Sequence, residues 1–408
     1  EVTPFEAESF VKALQEIDVR EYGGFAWMRQ LEYMQKLNYQ SHRNAKARED
    51  EFVMDAVVTE DKVKTLIHQA LVAEVWKGKI FPLLKPDLVE LKTTKPYLLL
   101  YYQGVVLNFL EVLMFHRSVI DTAEDLLVDF IDYCYRKLLS LINPPEDQPA
   151  DDLEKQAREI EFALGITSLS TMRFITDNIE GLPLSIVSQL IEQCDIFFLL
   201  AQLLEDKPWI KRTDNGNLVF EDQSWRAQKD EMKVTKVETQ IWLMVVNLFM
   251  NSEVRRKYEV TAARKNNLMR FRRHLNEVII DQIPVLGPLH RALEELNFVD
   301  TPSMRSNAFV VQQLPELRDR LLTRDDWEAI ARYQRANFLN DTDEERARCS
   351  QILMTGIDEN LEDPKCAKCG AAATKRCSQC QNEWYCGRAC QVAAWGAHKS
   401  VCVLLKKV

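Results

Sequence analysis

Seven of the ten cysteines lie between positions 366 and 402, and with one histidine they form the series Cys366-x2-Cys369-x7-Cys377-x2-Cys380-x5-Cys386-x3-Cys390-x7-His398-x3-Cys402. Eight soft or borderline donors make two tetrahedral four-ligand sites, the coordination that structural zinc prefers. Each Cys-x2-Cys pair forms a knuckle that offers two sulfurs to one metal. Cys386/Cys390 and His398/Cys402 are i, i+4 pairs, which share one face of a helix. Each site therefore needs one knuckle and one helical pair, and the spacing allows either a sequential or a crossed assignment. A metal closed by four protein ligands has no open position for water or substrate, so its role is structural rather than catalytic. The competing reading is a disulfide cluster. A reducing context and the histidine within the series count against it.

The segment closely resembles a MYND-type zinc finger. That resemblance implies the crossed assignment, with Cys366, Cys369, Cys386 and Cys390 on the first zinc and Cys377, Cys380, His398 and Cys402 on the second. MYND fingers that bind proline-rich peptides do so beside the second zinc, and the matching positions are Ser378, Gln391 and Trp395. Gln391 and Trp395 are also i, i+4, so an amide and an indole can point the same way. An extended proline-containing segment loses little entropy on docking to such a platform. The competing reading for Trp395 is packing against the helix or the second site, the role expected of Trp384 and Tyr385.

About forty residues hold no real core, so what precedes the finger must be a separate, larger structure. The chain has 408 residues, 46% hydrophobic and 28% charged, enough apolar material for a sizeable folded body. Only 12 residues are glycine, about half the usual share, which disfavours tight hairpins and phosphate-cradling loops and favours helices. Apolar residues recur at helical spacing, as in Val63, Leu66, Ile67, Ala70, Leu71 and Val75, or Leu127, Phe130, Ile131, Cys134 and Leu138. Breaks are expected at 78–96, which contains Pro82 and Pro86, at the loop 143–152, at 181–183, and around Pro208, Pro284, Pro302 and Pro315. Asn215-Gly216 beside a Leu-Val-Phe run predicts a small hairpin at 211–220.

The expected architecture is mostly α: an irregular, armadillo-like array of roughly a dozen helices over 1–355, a linker at 356–365, the two-zinc finger at 366–402 and a basic tail at 403–408. From Cys366 onward there are seven Lys/Arg and one acid, against 45 and 61 before it. Thiolate coordination removes about half of that positive excess, and the chain as a whole carries a net charge of -10, so a nucleic-acid surface is not expected. The basic cluster 264–274 reads as a helix face paired with acidic neighbours. The apolar stretch Tyr97 to Phe115 reads as a buried helix, not a membrane span, since it contains Gln103, Asn108 and Glu111. No phosphate-binding, dinucleotide, hydrolase-elbow or zincin motif is present in the sequence. His42, His68, His116, His274 and His290 stand singly in helical sequence, so no enzyme is expected.

Among MYND-bearing proteins, the lysine methyltransferases insert the finger into a strand- and glycine-rich SET domain, which this chain does not resemble. The whole layout instead is similar to the MYND-containing factors for cytoplasmic preassembly of axonemal dynein arms. The likeness is carried by QKLNYQ (35–40), AEDLLVDFIDYCYRKL (123–138), MRFITD (172–177) and KRCSQCQNEWYC (375–386). It implies a non-enzymatic adaptor in the cytoplasm, at centriolar satellites or near the ciliary base, needed for outer and inner dynein arms of motile cilia. Implied partners are a leucine-rich-repeat dynein assembly factor, the heat-shock chaperone machinery and an FK506-binding prolyl isomerase, with axonemal dynein chains as clients. The alternative is a nuclear corepressor that docks proline-rich motifs.

Overall fold

The computed structural model describes residues 2–214, 216–228, 230–298, 313–339, 342–357, 366–373, 375–378 and 384–405. The chain divides into two units, 1–350 and 351–408. The first opens with α1 (Pro4–Ala13), α2 (Phe25–Ala47), α3 (Phe52–Thr59), α4 (Val63–Lys79), α5 (Phe81–Glu90) and α6 (Lys95–Leu113). There follow α7 (Arg117–Ala123), α8 (Leu126–Ile142), α9 (Asp152–Asp177), α10 (Leu184–Ser188) and α11 (Ile196–Asp206). Strands β1 (Ile210–Thr213), β2 (Gly216–Glu221) and β3 (Ser224–Ala227) lead to α12 (Lys236–Met250), α13 (Ser252–Lys257), α14 (Ala262–His274), α15 (Glu277–Gln282) and α16 (Leu286–Asn297). Beyond 312 come α17 (Leu317–Leu322), α18 (Trp327–Phe338) and α19 (Asp343–Ile357), the last crossing the boundary between the units.

The mostly helical expectation holds, with more and shorter helices than the dozen expected. One expected break is itself a helix. Pro82 sits in the first turn of α5, where a missing N–H costs nothing, but Pro86 lies inside it. An interior proline costs about 3 kcal/mol, which the buried Phe81, Leu84 and Leu88 offset. The loop at 143–152 ends where Asp151 caps α9 by accepting from the Glu154 amide. The linker positions 358–365 and the tail positions 406–408 lie outside the described residues, as do Pro302 and Asn215.

Helix α9 is the axis of the unit, packing on α6, α8 and α12, while α6 packs also on α2 and α4. Although α6 has the length and apolar content of a bilayer span, these neighbours bury most of it. Helices α9 and α8 meet tightly: a Cβ built on Gly165 would lie 2.6 Å from Leu141 Cγ. Gly165→Ala is therefore expected to destabilise by about 1–3 kcal/mol through overpacking, against the gain in helix propensity. A urea titration of the full chain would show it as a lowered midpoint.

An aromatic nest fixes the N-terminal half. Tyr22 stacks on Trp76 at 4.6 Å and contacts Trp27 at 4.8 Å, and Trp27 meets Tyr102 at 4.8 Å. The far end of the unit returns to this nest: the Trp76 indole N–H donates to Gln334 Oε1 at 2.9 Å, and the Gln334 amide donates to the Val19 carbonyl at 2.7 Å. Trp76 and Gln334 satisfy each other here, which makes the closure specific. A second closure uses charge: the buried Lys95 ammonium donates to the Phe338 carbonyl and to Glu345 at 2.5 Å.

Charge also joins α4, α8 and α9. Glu161 accepts from Lys77 at 2.7 Å and from Lys137 at 2.8 Å, and Glu74 accepts from Arg136 at 2.6 Å. Three of the basic residues of 264–274 are paired as expected, Arg264 with Glu192, Arg270 with Glu205 and Arg272 with Glu294.

The expected hairpin is part of a three-stranded antiparallel sheet, β1-β2-β3, with Ile210 opposite Val219 and Phe220 opposite Trp225. Strand β3 gives no signal in sequence because its turn has no glycine. Asp222 and Gln223 take positive φ of 50° and 58° themselves, an acceptable but uncommon conformation for non-glycine residues. Phe220 and Trp225 pack on Phe162 of α9 at 5.0 and 5.4 Å, which offsets that strain.

Candidate metal centre

The C-terminal unit is built around β4 (Lys375–Arg376), β5 (Trp384–Tyr385) and α20 (Arg388–Leu405). Its first knuckle closes on itself: the Gly370 amide donates to the Cys366 carbonyl at 2.8 Å and the Cys366 amide to the Ala371 carbonyl at 2.7 Å. Gly370 has a φ of +72°, which the turn demands and a side chain would strain. The Ala367 amide donates to the Trp384 carbonyl at 2.9 Å, so the knuckle is tied to β5.

The two strands then separate the ligands. Lys375 lies opposite Tyr385 and Arg376 opposite Trp384, so Cys377, which follows β4, and Cys386, which follows β5, leave from opposite ends of the ladder. Helix α20 does the same along its axis. Cys390 and His398 are eight residues apart, about 12 Å of rise, and cannot share one tetrahedral ion.

The outcome is two clusters. Cys366, Cys369, Cys386 and Cys390 bring their sulfurs within 4.8 Å of one another, and so do the donor atoms of Cys377, His398 and Cys402. Cys380 lies outside the described residues. The separations are 3.6 Å for Cys369–Cys386, 3.5 Å for Cys386–Cys390, 3.8 Å for Cys390–Cys369 and 3.8 Å for Cys377–Cys402. Tetrahedral Zn–S bonds of about 2.3 Å place sulfurs about 3.8 Å apart, whereas a disulfide needs about 2.05 Å. The donor set fits zinc, and none of the described cysteines of this segment is in a disulfide. Backbone amides of Cys386, Cys369 and Lys368 aimed at Cys366 hold its thiol down at about 6. Cys386 is pushed up to about 12 by hydrogen bonds to Cys390, Cys369 and Cys366, as expected of thiols crowded where a divalent cation belongs.

The two sites differ in exposure. Cys369 and Cys386 of the first are exposed, whereas Cys377, His398 and Cys402 are buried with Ala373 and Tyr385 in a small core. Trp384 and Trp395 pack against that core, and Trp395 meets the His398 ring at 5.9 Å. Of the three positions assigned to a peptide groove, Ser378 is exposed beside Cys377, and Gln391 and Trp395 are half-buried one turn apart on α20.

The MYND finger family model matches residues 366–402. Those residues are a MYND finger. The cysteine and histidine clusters are its two zinc sites, and in such a fold zinc supplies cross-links, not chemistry. Over the whole chain, the Zinc finger MYND domain-containing protein 10 homolog of Drosophila melanogaster is 27% identical across 446 aligned residues, covering 98% of this chain and 99% of the relative. The human Tudor domain-containing protein 1 is 42% identical over 50 residues, only 12% of this chain and 4% of its own length, and the mouse protein is 36% identical over the same extent. These two share the finger alone. No solved structure matches the chain.

The spacing alone left the crossed pairing open, and the single helix α20 decides it. A sequential scheme needs Cys390 and His398 on one ion, and their separation along one helix forbids it.

Proposed function

We propose that this protein is a non-enzymatic adaptor for the cytoplasmic preassembly of axonemal inner and outer dynein arms, in which the MYND finger is the partner-binding module. The observation that carries the reading is the extent of similarity to the Drosophila relative: it includes the helical unit as well as the finger, unlike the finger-only match to the Tudor protein. Sequence resemblance to dynein-arm assembly factors points the same way. A helical array with a rigid, metal-locked module suits scaffolding, because broad helical surfaces engage large clients while a small module captures one peptide. Partners on this reading are a leucine-rich-repeat assembly factor at the finger, and heat-shock chaperones, an FK506-binding prolyl isomerase and dynein chains at the helical unit.

Affinity purification of the tagged full chain from multiciliating cells tests this, beside a Cys377→Ala/Cys380→Ala variant and a Gln391→Ala/Trp395→Ala variant. Dynein chains and chaperones are expected with the wild type, and both variants are expected to lose one partner while keeping the others. Recovery of transcriptional regulators without dynein or chaperones would replace the reading with a nuclear corepressor.

A further inference from the structure

A cavity of about 370 Å³ opens between α2, α6, α9, α12 and the β2–β3 turn, at the small end of the range for ligand sites. Its polar lining is rich in acceptors. Glu111 carries a half-buried carboxylate whose hydrogen-bond donor is the Ser170 hydroxyl, and among the described residues no cation pairs with it. Gln240 also lines the wall, its Oε1 buried behind the surface with no donor among the described residues. The apolar wall is made by Ile166, Leu169, Phe220 and Val237.

The charged groups around the cavity leave this floor unanswered. His42 accepts from the Asn108 amide at 2.9 Å and burial holds its pKa down, so it is neutral at pH 7. Lys236 is two-thirds exposed and is paired with Asp222 at 2.8 Å at the rim. Glu221, the remaining charge, adds another carboxylate. The turn residue Gln223 donates to Thr167 at 3.2 Å and fixes the β2–β3 turn over the opening.

We infer that this cavity is a binding site for an alkylguanidinium group, with Glu111 accepting from its N–H fork and the apolar wall covering its planar face and methylene stem. A guanidinium fits better than an ammonium because it is planar, weakly hydrated and donates in parallel. The source is either the arginine side chain of a partner protein or a free guanidino compound. Burial pushes the Glu111 carboxyl up to about 7, so a cation that selects the ionised form must displace a proton.

The test is calorimetry on the zinc-loaded full chain with two probes, agmatine and acetyl-Ala-Arg-Ala-amide, in buffers of different ionisation enthalpy near pH 7. Saturable binding with release of about half a proton is expected, weakened about tenfold or more in Glu111→Gln and abolished in Ile166→Trp, which fills the cavity without touching the carboxylate. Both variants are checked for unchanged circular dichroism. Tighter binding of the peptide identifies a partner's arginine as the source, and tighter binding of agmatine a small molecule. Dissociation constants above about 10 mM for both probes, or binding that neither variant alters, would overturn the assignment.

Discussion

Stripping zinc from the full chain is expected to unfold residues 366–402 and to leave the unfolding transition of the helical unit in place. The buried side chains of the finger's small core, Cys366, Ala373, Cys377, Tyr385 and Cys402, include three metal ligands. Without the metal, the apolar contacts left among the described residues are those of Ala373 and Tyr385 with the half-buried Trp384, Ala394 and Trp395, too few to hold β4, β5 and α20 together. Structural zinc in fingers of this size contributes about 10–16 kcal/mol of apparent binding energy at neutral pH, and no set of contacts here could replace it. Hydrogen exchange reads the effect directly: the amides of α20 should lose protection on chelation, while those of α6 and α9 keep theirs. Metal analysis should find two zinc ions per chain. Cys386→Ala and Cys402→Ala each remove one site and should each collapse the finger, because both ligands sit on the segment that the strands and α20 share. A chelated chain with α20 still protected would show that the clusters are not what holds the fold.

Removing the Glu161 carboxylate should cost the helical unit about 3–5 kcal/mol, the usual penalty for leaving a buried charge without its partner. Lys137 is buried and Lys77 mostly so, and Glu161 is the nearest carboxylate to both, with the Ala157 carbonyl also on Lys77 at 3.1 Å and Glu74 3.7 Å from Lys137. Burial alone would raise the Glu161 pKa, but Lys137 and Lys77 together bring it from an ordinary 4.5 to about 2. Lys77 is itself held down by burial, so desolvating the lysine takes back part of what the carboxylate gains. The carboxylate has two cations within 2.8 Å, which outweigh its burial. The sign follows from linkage: a depressed carboxyl pKa stabilises above the unfolded value and loses that contribution as pH falls. The difference in urea midpoint between wild type and Glu161→Gln should therefore be full at pH 6 and shrink progressively from about pH 4.5 toward pH 2. The triple replacement Lys77→Met/Glu161→Met/Lys137→Met should recover most of the loss, since apolar packing is as good as a buried ion pair. A pH-independent difference would assign the effect to packing.

Some of this was written in the chain. The eight ligands at 366–402 announced two closed zinc sites because metal coordination depends on residue type and local spacing, and both survive translation from sequence to space. The helices were legible for a similar reason: a buried face repeats every three or four residues whatever it packs on. The hairpin over 211–220 was visible through its glycine turn, but β3 was not, because Asp222 and Gln223 adopt left-handed backbone only where Phe220 and Trp225 can rest on Phe162. Pro86 likewise reads as a break until the apolar face of α5 is seen to be buried.

What the sequence determined by itself was therefore local: ligand chemistry and helical periodicity. Only the tertiary structure decided which groups meet across long separations. It set Gln334 between Trp76 and Val19, Glu161 between two lysines on different helices, and Glu111 at the wall of a cavity where, among the described residues, no cation pairs with it. The physical reason is that a side chain's charge state and partners depend on desolvation and on neighbours brought from far along the chain, and neither is a property of its own segment.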